Sequence, residues 1–479
     1  MMRNEEDDRL TERSSTINSA SEVPKKPYRV TVEFPLFLIM ITATLTGSAV
    51  SNIILYRTCV HSLGHSREEC KGFLSPLKTN DTRMLEQEVQ KYATFINTVK
   101  SVLESIGPAI LCLFYGAWSD TYGRKPLITW SIFGMTFTSV LTVIYSMVES
   151  LGPWWYILTS VPMSLAGGYI ALYTASYCYI SDVSTTDKTT FRMVLLDATV
   201  SAGMVIGSLF AKDLILGIGN VYLLLLGCTL NVLAYSYTCI FIPESLTGAL
   251  QGGFSKLFDI LLVKEMAREC FKQRPNKGRV QILLLTANRI LGVFVMYGVS
   301  TLEYMYTREK LHWALSDYNK FSAVGTAIGF VAGFLGIFVV QKIMGLGDLI
   351  LAIFSVFSNA AEYFIKAFAV TTWHMYLAVI VSVFKVLSAP LIRSYLSKSL
   401  PVEDIAKVFT MMCVVEGIIP VIAPISFNTV YAWTISTFPG TFLLIGGVLT
   451  VISGILLGFV KYYASRSHTV IYEALHQSE

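Results

Sequence analysis

Charge is scarce in this chain. Of its 479 residues only 15% are Asp, Glu, Lys or Arg, against about 25% in an average globular protein. A soluble molecule of this length could not cover its surface with so few, which excludes a soluble enzyme, a disordered chain and a free nucleic-acid binder. The signs nearly cancel, with 37 basic and 33 acidic residues, so no polyanionic partner is implied. Histidine (6) and cysteine (8) are also few. No CxxC pair or histidine cluster occurs, so no metal site is expected. No P-loop is present, so no nucleotide or other cofactor is expected either. Residues 1–33 hold Arg3, Glu5, Glu6, Asp7 and Asp8 without an apolar core, which argues against a signal peptide and for a disordered cytosolic tail.

Apolar sequence is what the chain has in quantity: 53% of residues are hydrophobic and the mean hydropathy is +0.56. Crossing a bilayer takes roughly 20 mainly apolar residues in a helix. Twelve such stretches are expected, at 34–56, 93–117, 127–148, 153–180, 190–217, 220–242, 280–305, 318–341, 345–369, 373–399, 404–433 and 439–463. They are continuous apolar runs rather than ten-residue alternations, so the fold expected is an all-α membrane protein and not a barrel. The basic residues Lys256, Lys264, Arg268, Lys272 and Arg274 crowd the linker 245–279, and Arg124, Lys125, Arg393 and Lys398 fall on the same side. The positive-inside rule therefore puts both termini and that linker in the cytosol.

The opposite side carries a long outer loop, 57–92, with the chain's one N-x-T acceptor at Asn80. Cys59 and Cys70 fall in the same loop, where an oxidising compartment would let them pair. The chain thus divides into a bundle at 34–244, the linker 245–279, a second bundle at 280–463 and a cytosolic tail at 464–479. Such a 6+6 plan places a ligand site between the halves near the midplane.

After the second stretch the chain reads Gly116-Ala117-Trp118-Ser119-Asp120-Thr121-Tyr122-Gly123-Arg124-Lys125-Pro126. This G-x-x-S-D-x-x-G-R-K-P pattern resembles the loop signature between helices two and three of the major facilitator superfamily. Gly116 and Gly123 permit close approach and a tight turn, and Asp120 can pair with Arg124. Pro243-Glu244-Ser245 resembles the close of the first half in that superfamily. The resemblance implies that Asp120, Arg124, Asp182, Arg192 and Glu244 form a cytosolic gating network that holds an outward-open state. In the second half only Gly345-Leu346-Gly347-Asp348 stands where a counterpart would be, too degenerate to use.

Ionisable groups inside spans are costly and usually functional. They are Asp197, Arg289, Glu303, Glu362, Lys366, Lys385, Arg393 and Glu416. Glu362 and Lys366, four residues apart, read as a self-neutralising structural pair. Lys385 and Arg393, two helical turns apart, could line one stripe that draws an anion. Tyr169, Tyr173 and Tyr177 recur every four residues, and Tyr173 is a candidate to meet a planar ligand.

Closer still, the chain resembles the proton-coupled folate transporter family. The resemblance is carried by Leu85-Glu86-Gln87-Glu88-Val89, Ser181-Asp182-Val183-Ser184, Thr190-Phe191-Arg192-Met193, Leu195-Leu196-Asp197-Ala198 and Pro390-Leu391-Ile392-Arg393. It implies a transporter, not an enzyme, with Asp197 as the proton-coupling carboxyl and Arg393 as a residue of substrate and proton handling. Three family positions differ: a histidine falls near Met296, an aspartate near Gly168, and an outer disulfide partner near His312. The last makes Cys59–Cys70 the expected bridge. The function expected is proton symport of a small organic anion, folate-like or muropeptide-like, by a monomer in the lipid bilayer of the plasma membrane or endosome and lysosome. Facilitative or antiport transport and a non-transporting sensor are the alternatives. Tyr472-Glu473-Ala474-Leu475 has the form of a sorting signal.

Overall fold

The computed structural model describes residues 32–74, 80–245, 264, 268, 272–274, 277–313, 315–336, 347–400, 402–434 and 437–476. The described residues are almost wholly helical. In chain order the helices are α1 (Glu33–Arg57), α2 (Arg67–Leu74), α3 (Asn80–Tyr122), α4 (Arg124–Met147), α5 (Trp155–Thr159), α6 (Val161–Leu165), α7 (Gly168–Val183) and α8 (Thr186–Phe241). After the linker come α9 (Gly278–Leu311), α10 (Leu315–Gly336), α11 (Asp348–Ala367), α12 (Thr372–Val381), α13 (Ser388–Ser399), α14 (Val402–Thr434) and α15 (Thr441–His476). The tail 1–31, most of the linker, and the side chains of Asn80, Asp120 and Tyr472 lie outside the described residues.

Nine of the described helical segments are long and apolar enough to cross a membrane. The longest of them, Lys188–Phe241, would measure ~80 Å as one rod at 1.5 Å per residue, far more than a bilayer. Gly219 breaks it with φ 83° and ψ 169°, so it makes two crossings. The bent pair Thr372–Val381 and Lys385–Ser399, turned by 44° at its break, is likewise long and apolar enough when its two arms are taken together. Helix α10 adds another membrane-length helix of 22 residues. These segments lie at the positions of the expected stretches, and nine of the described ones, ten with the bent pair, meet the length and composition of a span.

Two expectations change. Among its described residues the stretch 57–92 is mostly helical: a π-helical turn at Thr58–Ser62 leads to α2, and α3 already starts at Asn80 and runs for 43 residues. The stretch 373–399 is not one straight helix but breaks beside a 3₁₀ turn at Lys385–Leu387, just before Pro390. Pro390 supplies no N–H and so removes one ladder bond at the bend.

Small residues set the packing, as expected where lipid offers no hydrophobic drive between helices. Helix α1 lies along both parts of α8, with Gly207 against the Ile41 carbonyl and Gly227 against Thr42 and Thr46. One extended core cluster includes Leu36, Ile128, Tyr179 and Leu196 from the N-terminal helices and Leu351, Leu391 and Phe409 from the C-terminal ones.

Helix α4 gives the molecule two named faces. Its start, at Gly123 and Arg124, marks the loop face. At its far end the buried Arg57 donates to the carbonyls of Tyr145 and Val148 (2.8 Å to the latter) and stacks on the Tyr145 ring at 3.9 Å. This is a cation on a helix C-terminus, the favourable sign for the helix dipole. Cys59 and Cys70 form a disulfide beside it, with Cα atoms 5.8 Å apart, so this end is the disulfide face. Replacing both cysteines by serine should destabilise the fold by about 2–4 kcal/mol. Thermal unfolding of the purified protein, with and without reductant, checks this.

Candidate functional site

On the loop face the signature residues hold one another. Gly123 has φ 113°, a conformation that side chains disfavour, and a Cβ there would lie 2.4 Å from the Glu244 carboxylate. Glu244 accepts hydrogen bonds from the backbone N–H groups of Arg124 (2.8 Å) and Lys125 (3.1 Å). It thereby satisfies orphan donors at the start of α4, where a carboxylate also suits the dipole. Arg124 pairs with Asp182 at 3.3 Å and donates to the Ser119 hydroxyl. Asp182 also accepts from Ser245 at 3.0 Å. Arg192 pairs with Glu33 at 2.7 Å. Glu33 escaped sequence reasoning because it sits at the border of the charged tail.

A second cluster on this face joins the two sets of helices. Asp348 pairs with Lys398 at 2.8 Å and accepts from Ser394 at 3.0 Å, both in the C-terminal set. Thr190 of α8 lies 2.5 Å from the Ser394 hydroxyl and accepts from Lys398 at 2.6 Å. Asp348 is the last residue of the degenerate Gly345-Leu346-Gly347-Asp348 stretch, whose pattern gave no sign of this role. Nearby, Gly116 of α3 meets Thr410 of α14 so closely that a Cβ would lie 2.1 Å from its Oγ1. The loop face is therefore closed.

Among the membrane-length helices lies a cavity of about 280 Å³ between α8 and the C-terminal helices. Its wall includes Asp197 and Ser201 from α8, Glu303 from α9, Glu362 and Lys366 from α11, and Lys385. Four of these groups form one ion-pair chain. Lys366 is 2.5 Å from both Glu303 and Glu362, and Lys385 is 2.7 Å from Glu362. The expected Glu362–Lys366 pair is thus part of a quartet. Lys366 is only 5% exposed, whereas Lys385, also held by Glu362, is 37% exposed and is the more accessible cation of the quartet.

Asp197 links that cavity to a second group of charges. Its carboxylate accepts the hydroxyl hydrogen of Tyr177. The Arg393 guanidinium lies over the Tyr177 ring at 4.1 Å, a cation–π contact, and reaches Glu416 at 3.4 Å. Glu416 is also held by Arg289 through two hydrogen bonds of 2.9 and 3.1 Å, the bidentate form that is the strongest of its kind. The structure brings Asp197 and Arg393 into one constellation and sets Lys385 on the cavity side. Lys385 and Arg393 fall in the same arm of the bent pair, Lys385–Ser399, but Lys385 sits in its 3₁₀ turn and pairs with Glu362, whereas Arg393 pairs with Glu416. Tyr173 stands outside the cavity wall with its hydroxyl 3.4 Å from the Met40 sulfur; the neighbouring Tyr177 makes the contact to Asp197. Glu416, Arg289 and Tyr177 carried a signal in the sequence, as charges within spans and as one step of the tyrosine repeat.

A bundle of long apolar helices with buried, mutually paired charges beside a cavity is the arrangement of a membrane transporter. The profile of the Major Facilitator Superfamily matches residues 36–424, and the chain belongs to that family. The probable peptidoglycan muropeptide transporter SLC46 of Drosophila melanogaster is 28% identical over 460 residues, covering 92% of this chain and 87% of that one. The proton-coupled folate transporter of Rattus norvegicus is 24% identical, covering 91% and 92%. The human lysosomal proton-coupled steroid conjugate and bile acid symporter SLC46A3 is 26% identical, covering 87% and 91%. Among solved structures, the human organic anion transporter MFSD10 aligns with a TM-score of 0.67 at 14% identity, covering 91% of this chain and all (100%) of that one. FucP in its outward conformation aligns at 0.62 and 12%, covering 89% and 98%. These structures establish the shared fold.

Proposed function

We propose that the protein is a proton symporter for a small organic anion, working as a monomer by alternating access of an N-terminal half, 34–244, and a C-terminal half, 280–463. The observation that carries this reading is Asp197. It lines the cavity together with Lys385, yet its carboxylate is held by Tyr177 within reach of the Arg393 group. A carboxyl so placed can take a proton when the cavity is open to one side and give it up on the other. Lys385 receives the anionic group of the substrate, while Arg393 positions Tyr177 and with it Asp197. Folate-like and muropeptide-like acids are the substrate classes that relatives suggest.

The loop face is cytosolic in this reading, with both termini and the 245–279 linker on that side. The Cys59–Cys70 disulfide supports it, since disulfides persist in oxidising compartments. Asn80 would then be glycosylated on the disulfide face. Arg124, Asp182 and Glu244, with Asp120 and Arg192–Glu33, stiffen the N-terminal half, and the Thr190–Asp348–Lys398 cluster latches it to the C-terminal half in the outward-facing state. The membrane is that of the cell surface or of endosomes and lysosomes.

The test is uptake of labelled muramyl dipeptide, folate and a steroid sulfate by cells bearing the protein at their surface. Acid outside should stimulate uptake of at least one of them. Asp197→Asn should remove the acid stimulation at unchanged surface level, and Lys385→Met should weaken uptake by about tenfold, the equivalent of ~1.4 kcal/mol. Uptake driven by an acid interior would instead indicate antiport. Absence of flux for every probe at any pH would reject the symport reading in favour of a sensor.

A further inference from the structure

Counting charge across the whole centre, and resting on the symport reading above, we infer that the site couples one proton to one negative charge, so that the substrate class is the singly charged organic acid. Eight charged side chains form the centre among the described residues. On the cavity side, Glu303 and Glu362 balance Lys366 and Lys385 through contacts of 2.5 to 2.7 Å. Behind Asp197, Arg289 and Arg393 share the single carboxylate of Glu416, which leaves that trio with one excess positive charge. Asp197 is the eighth group. Ionised, it cancels the excess and the centre is neutral.

Guanidinium groups do not lose their protons in proteins, and the other carboxylates and lysines are each held by an opposite charge. Asp197 is different. The groups that face it are the Tyr177 hydroxyl and the Tyr173 ring from α7, Arg393 from α13, Arg289 from α9 and Glu416 from α14. No cation in direct salt-bridge contact with its carboxylate occurs among the described residues, and its open side is the cavity. One proton on Asp197 therefore leaves the centre at +1 inside low-dielectric surroundings, where an uncompensated charge is expensive. A ligand with one negative charge at Lys385 restores neutrality. A ligand with two leaves the loaded centre at −1 unless a second proton comes with it. The empty carrier with ionised Asp197 and the carrier loaded with proton and monoanion are both neutral. Both halves of the cycle then move no net charge.

The experiment uses the full chain in proteoliposomes, acid outside, with the membrane potential clamped by potassium and valinomycin. Muramyl dipeptide carries one carboxylate, a steroid sulfate one charge and folate two. Accumulation of a singly charged probe should change less than twofold between a clamp at zero and one at 100 mV inside-negative. Movement of one net charge would instead change the accumulation ratio about 50-fold per 100 mV. Folate should be taken up at least tenfold less well than the singly charged probes. Binding of muramyl dipeptide to the purified protein should weaken about tenfold per pH unit at alkaline pH, and Asp197→Asn should bind it with no pH dependence.

Acid-driven uptake that follows the clamp, or a preference for folate, overturns the one-proton, one-charge inference and leaves the symport reading standing. A complete lack of acid-driven uptake overturns both. The clamp experiment uses the unmodified protein, so a variant that failed to fold would not blunt it.

Discussion

Gly116→Ala is expected to reduce transport by more than tenfold while leaving the protein folded and in the membrane. The reason is steric and local. The added Cβ would lie 2.1 Å from Thr410 Oγ1, 2.3 Å from its Cγ2 and 2.6 Å from its Cβ, all far inside van der Waals contact. Thr410 is fully buried, and its Cβ cannot swing away by a rotamer change. The two helices concerned, α3 and α14, belong to different halves of the molecule, so the clash falls on the closed form of the loop face. The form in which the halves part there is untouched. The variant should therefore populate the loop-face-open form, seen as faster labelling of a cysteine placed at Ser394. Thr410→Gly, which removes the whole side chain, should restore transport to Gly116→Ala, whereas Thr410→Ala, which keeps the Cβ, should restore little. Equal loss in the single and double variants would mean that Gly116 matters for something other than this contact.

Lys366→Met should be the most destabilising single change among the membrane charges. Lys366 is 5% exposed and contacts two carboxylates at 2.5 Å. Removing it leaves Glu303 and Glu362 facing each other across a buried space with only Lys385 to compensate. Breaking a buried ion pair by deleting one partner typically costs about 3–5 kcal/mol, because the remaining charge stays desolvated. A thermal midpoint in detergent lowered by several degrees checks this. Adding Glu303→Gln to Lys366→Met should recover part of the loss, since one of the two orphaned carboxylates is then neutral. An unchanged midpoint for Lys366→Met would show that the quartet contributes nothing to the fold. Lys385→Met should be milder, since Lys385 is 37% exposed and already partly solvated.

Most of the helical layout was legible because its cause is local: a helix in lipid must satisfy its own backbone and show apolar side chains, and both demands are written in consecutive residues. The break near residue 219 and the boundaries of α1 and α11 follow from that alone. The charge pair Glu362–Lys366 was legible for a similar reason, since residues four apart on a helix are neighbours. Where contact depends on chain segments far apart in sequence, local pattern fails. Lys385 falls 23 residues from its partner Glu362 and Arg289 falls 127 from Glu416. Nothing in the spacing announces either pairing. Asp348 was passed over for the same reason, since its partners Thr190 and Lys398 stand 158 and 50 residues away.

The sequence by itself determined that this is a many-helix membrane protein, where most crossings begin and end, that a glycine-rich charged signature joins two of them, and that Asp197 is a carboxyl in an apolar span. Periodicity, apolar run length and motif spacing are properties of neighbouring residues, so one dimension suffices for them. Only the tertiary structure decided which charges neutralise which. It put Lys385 on the cavity and Arg393 behind Tyr177, joined Glu303 to the Glu362–Lys366 pair, and left Asp197 as the junction between a balanced quartet and a trio with excess positive charge. Charge compensation in a membrane acts over a few ångströms in space, whatever the distance along the chain.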